Sequence, residues 1–326
     1  MIRFVLRAAA IGAVALCALA PLASLAQTWP TKPVKFIVPY PPGGSTDPMA
    51  RLIGAKLTDS LGQPFVVENR SGASGTIGTA FAAKSPPDGY TFIFVFDYHA
   101  VNPFVFPSLP FDTVKDFAPV MLIGTAPMAI ATATAKPYKS FVDVIAAAKA
   151  RPGTVSIGSV GNGSLGHLTM ALVQQASGIK LVHIPYKGGG PMTADALAGQ
   201  IDLAIGSVAL ITPHVKGGKL RAVAVTGDTR SRALPEVPAL AEQGLPGFSA
   251  LAWWAIFAPA GVPKPIIDKF HAELVKAFNL PDVHKLHTET LGIDLVVGPP
   301  EGLAQWLETQ MQRWGKVVRD NNVAAD

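Results

Sequence analysis

About half of the 326 residues are hydrophobic and only 15% are charged, which is more apolar material than one core usually serves, so two lobes are expected. The formal charge of +5 falls to +3 once Arg3 and Arg7 are set aside, and no basic block gathers it, which excludes a nucleic-acid partner. Cys17 is the one cysteine, so disulfides, cysteine–zinc sites and cysteine nucleophiles are excluded from the rest of the chain.

The first predicted element is a secretory signal peptide over residues 1–26. Arg3 and Arg7 form its basic start, an apolar run follows from Val5 through Leu22, and Ser24 and Ala26 are the small residues that a cleavage site needs. Cleavage after Ala26 leaves Gln27–Asp326 in the periplasm. Leu16 stands where a lipoprotein signal carries a small residue, so no lipid anchor is expected, and no later run is long and apolar enough to span a bilayer.

Short β-branched runs follow at 34–39, 65–67, 91–96, 155–157, 181–184, 201–205, 220–226 and 254–258. Helical patterns lie between and after them, over 47–61, 141–150, 165–177, 192–198, 265–279 and 301–321. Such alternation predicts an α/β fold. In the last helix Leu303, Trp306, Leu307, Met311, Trp314 and Val318 share one face, so its tryptophans read as core anchors. Boundaries are expected in the alanine- and threonine-rich stretch 124–136 and in the loop-like stretch 242–254. Two crossings there build one lobe from 27–128 and 250–326 and the other from 129–249, the plan of a hinged two-lobe binding protein.

Three glycine-rich turns stand at strand ends, each before a helix. In "PPGGSTDP" Asp47 suits an N-cap and Pro48 a first helical position, leaving Gly43 to Thr46 to present bare N–H groups beside a positive helix end. That arrangement holds an anion; a tight loop that merely closes a strand–helix unit is the alternative. The second turn, "GSVGNGSLGHL" from Gly158, has Ser164 as its cap, and the third, "PYKGGGPM" from Pro185, has Pro191 as a first helical residue. Parallel strands place all three at one crevice.

Catalysis and cofactors find no support. Gly161-x-Gly163-x-x-Gly166 matches a dinucleotide fingerprint, but His183, Tyr186 and Lys187 stand where its acidic ribose partner belongs, so no cofactor is expected. None of Ser45, Ser74, Ser159, Ser164 and Ser207 lies in a nucleophile elbow. His284 and His287 read as a solvated pair without a third ligand, so no metal is expected. His167 is open to a structural or a binding role.

Seven blocks carry a resemblance over essentially the whole mature chain: "YPPGGSTDPMAR" from Tyr40, "VVENRSGASGTIG" from Val66, "PPDGYTF" from Pro86, "DFAPVMLIG" from Asp116, "GSVGNGSLGHL", "PYKGGGPM" with Asp195 and Gly199, and "FAPAGVP" from Phe257. In this order they resemble the extracytoplasmic solute receptors of tripartite tricarboxylate transporters, the Bug or TctC family. The resemblance implies a type II periplasmic binding protein, two α/β lobes, each a sheet flanked by helices, joined by hinge crossovers. It implies a monomer that binds a small organic carboxylate without consuming it and delivers it to integral membrane subunits. A sensor that presents the carboxylate to a signalling kinase is the alternative, and sequence does not separate the two.

Carried over to this chain, the resemblance implies a carboxylate held by Gly43, Gly44 and Ser45 and by Ser159, Gly163 and Ser164, with Tyr40, the capping Asp47 and His167 beside them. The chain departs from the family after the third strand, in "FDYHAVNP". There Asp97, Tyr98 and His99 are expected either to read the far end of a ligand or, for Asp97 and His99, to pair with each other. Either Trp253 or Trp254 is expected to wall the cleft.

Overall fold

The computed structural model describes residues 29–324, so the expected signal peptide and Cys17 lie outside the described residues. Strands β1 (Val34–Val38), β2 (Phe65–Asn69) and β3 (Thr91–Phe96) pair in parallel in the order β2-β1-β3. They alternate with helices α1 (Thr46–Leu61) and α2 (Thr76–Ala83). Every residue of β3 is buried, as an unbroken apolar run requires when both faces of a strand are covered. Helix α1 turns Met49, Ala50, Ile53 and Leu57 inward at helical spacing and ends at Gly62, which takes the left-handed conformation of a C-terminal cap.

After α3 (Tyr98–Val105), strand β4 (Phe117–Ala133) runs for 17 residues. It pairs antiparallel with β9 (Leu251–Pro259) as far as Pro127, and from Met128 onward with β7 (Leu203–Ser207) and β8 (Leu220–Val225). Beyond β7 lie β5 (Ser156–Ser159) and β6 (Val182–Pro185), parallel to one another. The path is therefore β2-β1-β3-β9-β4-β7-β5-β6, with β8 and the short β10 (Asp294–Leu295) also joined to β4. The helices of the second half are α4 (Phe141–Ala150), α5 (Leu165–Ser177), α6 (Gly189–Leu197) and α7 (Val208–Lys216). After β9 come α8 (Lys264–Phe278), α9 (Pro281–Lys285) and α10 (Pro300–Asp320).

The expected boundary stretch 124–136 is strand through Ala133, the second part of β4, and its small residues are almost all buried. The segment after Asp97 is helical, the start of α3, with Pro103 inside the helix. One expectation is corrected in this part of the chain. His287 is not solvated; a turn at 286–290 carries it inward, where it is 1% exposed, packs on Phe278 and places Nδ1 2.7 Å from the Val283 carbonyl. In α10, Trp314 is fully buried and donates its indole N–H to Gln310 Oε1 at 3.0 Å, while Trp306 is half-buried on the flank of the same face.

Close approach positions α2 over the end of β1. A Cβ on Gly78 would stand 2.6 Å from the Arg70 carbonyl and 2.8 Å from Pro39 Cβ. Replacing Gly78 by alanine is predicted to overpack this contact and to cost about 1 to 3 kcal/mol in urea unfolding. An unchanged midpoint would show that the contact gives way.

Candidate functional site

The first loop leaves β1 at Pro39 and enters α1 at Thr46, earlier than Asp47 as N-cap would require. Ser45 occupies the cap position but makes no capping bond; its Oγ instead accepts the indole N–H of Trp254 at 3.2 Å. Trp254 is thus the tryptophan that reaches this loop, from β9. Asp47 stands in the first turn of α1, where Arg51, one turn further on, lies 3.0 Å away and balances its charge.

The end of β3 shows what a helix does to consecutive residues. Tyr98 points across to the second loop, donating its O–H to the Val160 carbonyl at 2.8 Å, and its ring stacks on Tyr40 at 5.9 Å. Tyr40 Oη in turn accepts the N–H of Phe96 at 3.0 Å. Burial raises both phenol pKa values, so each is a neutral donor and acceptor.

His99 points away, between the rings of Phe117 and Phe257 at 5.2 and 4.8 Å, and burial pulls its pKa down to about 3. Asp97 has no exposed surface, and burial raises its pKa well above the usual carboxylate range, against the lowering effect of the Leu165 N–H. No hydrogen bond joins Asp97 to His99.

The second loop, from β5 to α5, is braced from behind. Ser164 caps α5, accepting the N–H of His167 at 3.2 Å, as the sequence predicts. Ser159 Oγ lies 2.7 Å from His183 Nε2 and donates to the Gly161 carbonyl at 3.1 Å. His167 accepts the Gly163 N–H on Nδ1 at 3.2 Å and stacks on His183 at 4.0 Å. Val160, Gly161 and Asn162 are thereby held forward. Gly161 is required there: its φ is +141°, and a Cβ would meet Tyr98 Oη at 2.8 Å.

Between these loops lies a cavity of about 430 Å³. Tyr40, Tyr98, Phe106 and Tyr186 wall it, and Ser71, Ser74, Asn162 and Lys187 supply its polar side chains. Ser74 also donates to the Asn162 carbonyl at 3.4 Å, so a residue from each half meets over the space. A smaller space of about 50 Å³ adjoins it, touched by Gly44, Ser45 and Asp47 and by the same two tyrosines.

Of the residues singled out from sequence, Tyr40 and Tyr98 line both spaces, and Gly44, Ser45 and Asp47 line the smaller. Gly43, Asp97, His99, Ser159, Gly163, Ser164 and His167 line neither. Sequence reasoning missed the loop 71–75, where Ala73 and Ser74 hold left-handed φ values of 45° and 52° between Gly72 and Gly75. Such strain clusters at ligand clamps, and the two flanking glycines were its only signal in sequence. Also missed was Tyr186, which donates to Asp195 Oδ2 at 2.7 Å and whose phenol pKa is pushed up to about 12 by burial and by that carboxylate.

A family model described as the tripartite tricarboxylate transporter family receptor, TctC, matches residues 49–323. The chain belongs to this family. It is similar to the protein BugT of Bordetella pertussis, 38% identical over 295 residues that cover 90% of each chain. Among solved structures it is similar to R. palustris Rpa4515 with adipate, at 34% identity and a TM-score of 0.87, covering 91% of this chain and 99% of that one. It is also similar to MatC from Rhodopseudomonas palustris with bound malate, at 31% identity and a TM-score of 0.82, covering 89% and 100%. As a TctC receptor the protein is a solute-binding component, not an enzyme, and its α/β architecture is that of the periplasmic binding proteins.

The Tyr98 hydroxyl is the direct tie from α3 to the second loop of this TctC receptor. Removing it as Tyr98→Phe leaves the Val160 carbonyl without its donor and is predicted to lower stability by about 0.5 to 1.5 kcal/mol in urea melts. A midpoint equal to wild type would show that the tie does not contribute.

Proposed function

We propose that the mature chain, Gln27 to Asp326, works in the periplasm as a monomer that captures one small organic carboxylate and delivers it to the integral membrane subunits of a tripartite transporter. The observation that carries this reading is the lining of the 430 Å³ cavity: it includes Lys187, hydroxyls and glycine-rich backbone, and among the described residues no acidic side chain. Such a space favours an anion with an apolar body. Rpa4515 with adipate and MatC with malate support the ligand class. The change of partners along β4 at Pro127 and Met128 supports lobes of 27–128 with 250–326 and of 129–249. No helix among the described residues is long and apolar enough to cross a membrane.

A thermal-shift panel of mono-, di- and tricarboxylates, adipate and malate included, tests the capture. A ligand at about a hundred times its dissociation constant adds roughly 2.7 kcal/mol of stability, and the compound is recovered unchanged. Turnover of the bound compound would sink the reading.

The anchoring loop has a test of its own. A Cβ on Gly44 meets nothing within 4 Å, so Gly44→Val keeps the fold while its methyls enter the smaller space. Affinity for the best ligand of the panel is expected to collapse. A change within about threefold, roughly 0.65 kcal/mol, places the carboxylate elsewhere.

A further inference from the structure

Asp97 lies at the junction of β3 and α3, on the side that meets the start of α5. Its side chain is wholly buried, and no side-chain partner meets either carboxyl oxygen; the backbone N–H groups of Leu165, Asp97 and Tyr98 face it and lower its pKa against the larger effect of burial. The groups that face it are neutral. From the end of β1 comes the Tyr40 phenol, and from α3 the Tyr98 phenol. From α5 come the Leu165 N–H, which faces the carboxyl, and the Ser164 hydroxyl, which interacts with Tyr98. His167, further along α5, is engaged with Gly163 and His183, and His99 is turned toward Phe117 and Phe257. Among the described residues no cation forms an ion pair with Asp97.

We propose that Asp97 is a proton-binding site coupled to the cleft: the receptor takes up one proton as its halves close and returns it to solvent as they open. This rests on the capture reading above, because the coupling acts on the same closure. The seam that buries Asp97 also carries the Tyr98–Val160 bond and the contact of Ser74 with Asn162, and the cavity lies along it. Parting the halves to admit a ligand therefore parts α3 from the loop before α5 and lets water reach the carboxyl.

In water an aspartic acid ionises well below neutral pH. In the closed seam an ionised carboxylate would have backbone N–H groups but no cation beside it, and the cost of its burial outweighs those donors, so the proton is held. A proton thus moves from solvent onto an Asp97 oxygen on closing, and from that oxygen to solvent on opening, with no other bond made or broken. The sign follows from a pKa raised in the closed state: closure is favoured as pH falls, and weakens by up to about tenfold per pH unit as pH rises between the open and closed values.

The test compares wild type with Asp97→Asn, which keeps the shape and removes the titration. Small-angle scattering of ligand-free protein is recorded from about pH 5.5 to about 8.5, and calorimetry with adipate as probe is run over the same range in two buffers of different ionisation enthalpy. The wild type is expected to become more compact as pH falls. The variant is expected to stay compact throughout and to lose the buffer-dependent heat that reports proton uptake. The same pH dependence in both proteins overturns the proposal, whatever the histidines contribute.

If adipate gives no heat, the capture reading fails for adipate while the scattering comparison still decides the proton link. An infrared measurement on wild type alone guards against a variant that does not fold. At about pH 7.5 the closed protein is expected to show the C=O stretch of a protonated carboxylic acid, and its absence overturns the assignment.

Discussion

A backbone buried along most of its length must pair its N–H and C=O groups within the protein, and β4 meets that demand by changing partners once. Up to Pro127 it belongs with β9, and from Met128 with β7 and β8. Both halves of the molecule are thus hung on one continuous strand. The turns after β1, β2 and β3 in one half and after β5 and β6 in the other then face each other across the space that this strand leaves between them. Within the first half β9 braces the site, because its Trp254, in register with Gly124 of β4, reaches the first loop through Ser45. The cavity exists because these constraints bring the loops to a common edge while leaving the volume between them unfilled.

Much of this was legible in the sequence. Unbroken apolar runs such as that of β3, separated by amphipathic stretches such as α10, follow from burial on two faces or on one, and they identify the α/β class. β4 was not legible as a strand: Asp116–Gly124 stood out only as a block of the family resemblance, and the alanines and threonines after it carry little periodic signal and read by composition as a boundary. The direction of residues 97–99 was hidden for a different reason. A loop leaves side chains free to point together, whereas a helix turns each by roughly 100° from the last, so Tyr98 faces the cavity while Asp97 and His99 cannot. The loop 71–75 was recognisable as glycine-rich, but nothing in the letters of Ala73 and Ser74 announces a left-handed backbone.

The candidate site carries little formal charge. Among the described residues Lys187 is the single cation lining the larger cavity, and the carboxylate of Asp47 beside the smaller space is answered by Arg51. Around these stand hydroxyls and backbone groups, whose neutral hydrogen bonds are individually modest. The contact between Ser159 and His183 has the length of a nucleophile–base pair. Ser159 is nonetheless fully buried and donates to the Gly161 carbonyl, so the pair is a strut that shapes the loop rather than a reactive dyad.

The acceptor that Tyr98 finds across the cleft is a main-chain oxygen, and this bears on how such a receptor diversifies. A carbonyl is present whatever side chain stands at that position, so substitutions at Val160 or Asn162 redraw the walls of the cavity without deleting the acceptor of this bond. Glycine at position 161 is the exception, since the phenol occupies the room any Cβ would need. The mechanical part of the site is thereby insulated from the part exposed to selection for new ligands. A lineage of such receptors is free to change its diet by point mutation while inheriting the same bond across the cleft.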